Sequence, residues 1–215
     1  HPCQILADLL TIEEHRGPVA GKTIAWVGDG NNVCASFIHA APKFGFRLNV
    51  ACPAEYHPDL RDLEKGGAHV HLTSDPREAV VGADVVVTVT TSPKPVLEAD
   101  WLEEGVHVTA AGSNSLARQE LPEKAVLRAD LICVDSREVA VREAGDLLPA
   151  LEKGRTRPGL WAELGEVIAG MRPGRRDGRQ ITLFESQGMA VQDLAVAALV
   201  LERARERGLG RPLPY

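Results

Sequence analysis

Three polar stretches of this 215-residue chain have the residue types and the placement to touch a small ligand. The first is the turn Gly28-Asp29-Gly30-Asn31-Asn32-Val33, which follows a short apolar run. The second is Thr91-Ser92 and the third Ala111-Gly112-Ser113-Asn114, each directly after another apolar run. Residues placed this way sit at the carboxyl ends of strands, where open α/β sheets bind ligands. A plainer reading stands beside this one: Asn31 and Asn32 suit a tight turn, and Thr, Ser and Asn side chains satisfy loop backbone groups. Other chemistries find no support. No His, Cys or Asp cluster has metal-ligand spacing, and no nucleophile–base pair stands out. Asp135, Glu138, Asp146 and Glu166 fall on segments expected at the surface, where they would be solvated or cap helices. No catalytic residue is assigned.

The elements that must position these stretches alternate along the chain. Ile5, Leu6, Leu9, Leu10 and Ile12 recur at helical spacing, which predicts a helix over 3–15. TIAWVG (23–28) reads as a buried first strand, with a helix over 33–44 after the turn. RLNVAC (47–52), HVHL (69–72), DVVVTVT (84–90), VHVTAAG (106–112), LICVD (131–135) and ITLFES (181–186) read as six further strands. A helix is expected over 58–65, another starts at Asp75-Pro76, and a long one covers 189–207. Strands and helices joined by short connections imply right-handed crossovers. The expected fold is therefore a single doubly wound, Rossmann-like α/β domain with a mostly parallel sheet and helices on both faces.

Composition agrees. Aromatics are only 4% of residues, so the core must come from Val, Leu, Ile and Ala, as suits a sheet buried on both faces. A net charge of -6 speaks against a nucleic-acid partner. The basic run 172–179 (RPGRRDGR) is rich in Gly and Pro and reads as a solvated loop. No apolar run approaches the roughly 18 residues a bilayer crossing needs, so no membrane partner is expected. Cys3, Cys34, Cys52 and Cys133 show no paired spacing, which points to reduced thiols and a cytoplasmic setting. The chain opens on His1-Pro2-Cys3-Gln4 without a Met, as a fragment or processed chain would.

Two families are resembled, one in each half. HPCQILADLLTIEEHRG, GKTIAWVGDGNNVCASFIHAAPKFGF and LNVACPAEYHPD make residues 1–81 similar to the second domain of ornithine carbamoyltransferases. From about residue 75 to 215 the chain instead resembles the ornithine cyclodeaminase/μ-crystallin family. The carriers are DPREAVVGADVVVTVTTSPKPVL, HVTAAGSNSLARQEL, AELGEVIAG and GRRDGRQITLFESQGMAVQDLA. DPREAVVGADVV fits both, which marks a natural crossover point; an engineered chimera is expected, with natural recombination as the alternative. The expected organisation is one hybrid domain, residues 1–81 joined to 82–215, with its poorest packing at the seam between the third and fourth strands.

Each resemblance carries implications for the site. The first implies that His1 and Gln4 would contact a carbamoyl group and that GDGNNV would help hold ornithine. The transferase's phosphate cradle lies outside this sequence, and a terminal His is expected to be solvated. The second implies an NAD(P) site at Gly28, Gly30, Asn31, Asn32, Val33, Thr91, Ser92 and Asn114. Against it, Val33 takes the third glycine position of G-x-G-x-x-G and Asp29 brings a negative charge. Ala51-Cys52-Pro53 also stands where an acid commonly binds ribose, with Glu55 displaced. Asn114 aligns with an Asp of many relatives but cannot ionise, so it cannot serve as a general base. On this balance no cofactor is expected and no native catalysis. The alternative is the NAD(P)-binding domain of an imine reductase or amino-acid dehydrogenase. The first and last helices are expected to pack on each other or to drive weak self-association, giving a monomer or weak homo-oligomer.

Overall fold

The structure, a computed structural model, describes residues 2–211. His1 and the side chain of Cys3 lie outside the described residues. Eight strands form one sheet: β1 (Thr23–Gly28), β2 (Arg47–Ala51), β3 (Val70–Thr73), β4 (Val85–Val89), β5 (His107–Ala110), β6 (Leu131–Val134), β7 (Ala162–Glu163) and β8 (Thr182–Glu185). Their order is β3-β2-β1-β4-β5-β8-β6-β7, and every neighbouring pair is parallel. The seven expected strands are all present. β7 is additional, and two residues are too few to show a periodicity.

The helices are α1 (Pro2–Arg16), α2 (Asn32–Phe44), α3 (Leu60–Gly66), α4 (Pro76–Val80), α5 (Glu123–Arg128), α6 (Arg137–Glu143), α7 (Leu148–Glu152), α8 (Leu164–Ile168) and α9 (Ala190–Glu206). Alternation along each strand sends side chains to opposite faces. Ile24, Trp26, Val85 and Val87 pack with Ile5, Leu9 and Phe37 under α1 and α2. Ala25, Val27, Val86, Val108 and Leu183 pack with Val80, Val126, Ala140 and Ala150 under α4 to α7. The domain is thus doubly wound, as expected.

Three expectations need correction. The seam is well packed, because Ala79 and Val80 of α4 are buried and β1 pairs with β4 from Ile24↔Val85 to Gly28↔Val89. The 172–179 loop is not simply solvated. Arg172 donates to the carbonyls of Gly159, Leu160 and Trp161, and Arg175 to those of Val106 and Gln180. Finally, of the two alternatives for the terminal helices, packing on each other is the one that fails: α1 buries Ile5, Leu9 and Ile12, while α9 buries none of its 17 residues.

Candidate functional site

All eight strands point the same way, so the loops after β1, β4, β5 and β8 share one edge of the sheet. The order reverses beside β1, the place where open sheets form a crevice. Gly28, Thr91, Ser92 and Asn114 are brought to this edge together. Thr91 and Asn114 are exposed and Ser92 is half-buried.

The turn after β1 is closely packed. A Cβ on Gly28 would meet the Val89 carbonyl oxygen at 2.6 Å, so only glycine allows β1 to approach β4 here. A Cβ on Gly30 would meet Pro58 N at 2.2 Å. Asn31 caps α2, its Oδ1 accepting from Val33 N at 2.9 Å and Cys34 N at 3.1 Å. The turn reading of Asn31 is therefore supported. Gly30 N donates to Tyr56 O at 2.7 Å, Asn31 N to Asp29 O at 2.8 Å, and the Cys52 thiol to Tyr56 O at 2.8 Å. The segment 54–58 thus lies over the turn, where the phosphates and ribose of a dinucleotide would need open donors.

The other loops are held by four buried carboxylates. Glu120 takes Thr90 N at 2.5 Å on Oε1 and Gly112 N at 2.7 Å on Oε2, tying the ends of β4 and β5 together. Ser113 Oγ donates to Glu185 Oε1 at 2.5 Å. Asp146 Oδ1 accepts from Glu120 N and Leu121 N at 2.6 and 2.9 Å. Asp135 Oδ2 accepts from Ser186 Oγ, Gln187 N and Gly188 N at 2.8–2.9 Å, which fixes the loop after β8.

Asp135 and Asp146 therefore correct the expectation of surface acids. Asp146 is fully buried and Asp135 is 6% exposed. Glu138 is exposed and pairs with Arg142, and Glu166 completes a capping box with Glu163, as expected of both. Burial pushes Glu185 well above the usual carboxylate range, and the charge of Asp146 adds to it. Burial likewise raises Asp146 and Glu120. Asp146 Oδ2 and Glu185 Oε2 have no hydrogen-bond partner among the described residues. Three acids held so close in low dielectric cannot all ionise cheaply.

The sequence pattern does not single out Glu120, Glu185 or Gln187. Glu185 and Asp135 do carry a signal, since each stands at or just after the last residue of a strand. Asn114 Oδ1 accepts from Arg118 at 2.7 Å, which fits a loop-fixing amide. Among the described residues no group of three His, Cys, Asp or Glu could hold a metal ion. No described helix is long and apolar enough to cross a membrane.

Residues 23–208 match the model of the ornithine cyclodeaminase/mu-crystallin family. The ornithine carbamoyltransferase of Caulobacter vibrioides is 69% identical over 93 residues, which cover 42% of this chain and 30% of that protein. The Delta(1)-pyrroline-2-carboxylate reductase of Bacillus cereus is 40% identical over 153 residues, covering 71% of this chain and 47% of that protein. The chain therefore spans less than half the length of either relative. Thermococcus litoralis Delta(1)-pyrroline-2-carboxylate reductase, solved with NADH and L-proline, is similar in structure. It aligns with a TM-score of 0.77 at 25% identity, over 99% of this chain and 66% of that one. A carbamoyltransferase-like segment is thus joined to a cyclodeaminase-like remainder, as the two resemblances implied. The expectation that no cofactor is held is overturned, because a structure matching nearly the whole chain carries NADH.

Proposed function

The chain belongs to the ornithine cyclodeaminase/mu-crystallin family, and from that premise we propose that it is the NAD(P)-binding domain of a reductase acting on a small cyclic imino acid. The observation that carries this reading is the carboxyl edge of β4, β5 and β8, where buried Glu120, Glu185 and Asp135 fix three loops. When bound, the dinucleotide supplies hydride transfer.

The residues fit its two ends unequally. Thr91, Ser92 and Asn114 offer hydroxyl and amide groups on a rigid rim for the nicotinamide end. The glycine of β1 allows the close strand approach that such a turn needs. The phosphate and ribose end does not fit as it stands, because segment 54–58 occupies the donors of Gly30 and Cys52. Binding there requires that segment to give way, so affinity should be weaker than in a domain with an open turn. Asn114 holds a loop and moves no proton.

Thermal unfolding of the whole chain with NAD+, NADH or NADPH tests this. A ligand at about 100 times its dissociation constant adds roughly 2.7 kcal/mol, a midpoint rise of roughly 5–10 °C at this size. A cooperative transition that none of the three moves would refute the reading.

A further inference from the structure

A cavity of about 580 Å³ runs along the β4-β5-β8-β6 part of the sheet, beneath α1 and α9. That is within the roughly 300–1,000 Å³ range of small-molecule sites. Its walls are apolar: Val87, Val89, Leu131, Phe184, Ile12 and Val196. Its ends differ in charge. At the amino ends of the strands stand His15, Arg16, His107 and Arg175. Asp8, seven residues or about 10 Å before His15 on α1, and Asp193 near the start of α9 lie toward the other end.

Arg175 is the exceptional member. Arg16 pairs with Asp84 at 3.0 Å. Arg175 instead donates to Gln180 O at 2.7 Å, Thr182 Oγ1 at 2.9 Å and Val106 O at 3.3 Å, all of them neutral acceptors. Burial and the neighbouring Arg16 work against its charge, while Asp177 and Asp130 favour it from beyond ion-pair distance. Thr182 Oγ1 also meets His107 Nδ1 at 2.8 Å, and burial together with Arg175 keeps that imidazole neutral. A guanidinium without a carboxylate partner, at one end of an apolar cavity, calls for an anion carrying an apolar body.

We propose that this cavity binds an amphipathic carboxylate, with its aliphatic or aryl body against β4, β5 and β8 and its carboxylate at Arg175. At its far end the cavity shares Ser186 to Gly188 with the loop after β8, but Arg175 stands at the opposite end, by the amino ends of the strands, so the carboxylate contact does not rest on the cofactor reading.

Calorimetric titration of the whole chain with decanoate and with decan-1-ol tests the proposal. Decanoate should saturate at one molecule per chain and bind at least about tenfold more tightly than the alcohol. Arg175→Met should remove that advantage and leave the alcohol unchanged. Because Arg175 also holds the Val106 and Gln180 carbonyls, Val196→Trp serves as a second variant. It fills the cavity from the exposed helix α9 and should weaken both ligands about tenfold or more. Leu199→Glu, on α9 but outside the cavity, should change neither. Equal affinity for acid and alcohol, full binding by Val196→Trp, loss of binding in Leu199→Glu, or no saturation at all would each overturn the proposal.

Discussion

The two faces of the sheet are closed to different degrees. Under α4 to α7 one apolar cluster runs from Ala25 and Val27 of β1 through Val86 and Val108 to Leu183, crossing from the transferase-like to the cyclodeaminase-like segment. Under α1 and α2 the opposite cluster ends at Val85, Val87 and Val89. Beyond it lies the cavity, bordered by α9, whose Val191, Leu194, Leu199, Val200 and Leu201 are all more than half exposed. The β1–β4 ladder joins the two segments through backbone groups, which are alike in every sequence. Helix-on-sheet packing needs matched side-chain shapes. The joint is therefore sound in the sheet, and it is between helices of different parentage, α1 and α9, that the covering layer is incomplete.

The largest expected effect sharpens this contrast at two adjacent residues. Leu183→Ala, on the closed face, should cost about 2–5 kcal/mol. Phe184→Ala, on the cavity wall, should cost about 1 kcal/mol less or lower still, since part of that side chain already lacks close neighbours. Urea denaturation measures both, and equal losses would break the contrast.

The buried acids give the next effect. The folded-state pKa of Asp146 lies above its ordinary 3.8, at about 7. The folded chain thus holds more protons than the unfolded one in that window, and stability falls as pH rises from about 4 to 7. Asp146→Asn keeps an oxygen for Glu120 N and Leu121 N and removes the charge. It should flatten that decline and stabilise the chain at pH 8 by on the order of 1–3 kcal/mol. An unchanged pH profile would show that Asp146 is ionised throughout.

Replacing 54–58 with a shorter turn should tighten NADH binding by about tenfold, or roughly 1.4 kcal/mol, as read by fluorescence titration. Leu194→Glu with Leu201→Glu should change stability by less than about 0.5 kcal/mol each. It should also reduce any self-association seen by light scattering, because these side chains touch little of their own chain. A loss of several kcal/mol would show that α9 is packed after all.

Much of this was legible in the residues. TIAWVG and DVVVTVT are dense in apolar and β-branched types, so β1 and β4 announced themselves, and the turn between β1 and α2 was placed correctly. The insertion of β8 between β5 and β6 was not legible, because periodicity carries no information about which strands pair. Asp135 and Asp146 look like surface acids in the sequence because one acid among polar neighbours is ordinarily solvated. Only the folded edge shows the amide groups they accept from. Arg175 was hidden for the opposite reason: RPGRRDGR has the composition of a solvated loop, yet one guanidinium turns inward to the Val106 carbonyl. The occlusion of Gly30 depends on Pro58, 28 positions further along the chain, and no local pattern could reveal it.

The central claim, that the loops after β4, β5 and β8 receive a nicotinamide dinucleotide, is tested most directly by following backbone amide resonances of the whole chain during NADH titration. The account predicts saturable shifts concentrated at Thr91, Ser92, Gly112 to Asn114 and Ser186 to Gly188, with smaller ones at Gly28 to Val33. Shifts confined to α9, or none at any concentration, would contradict it.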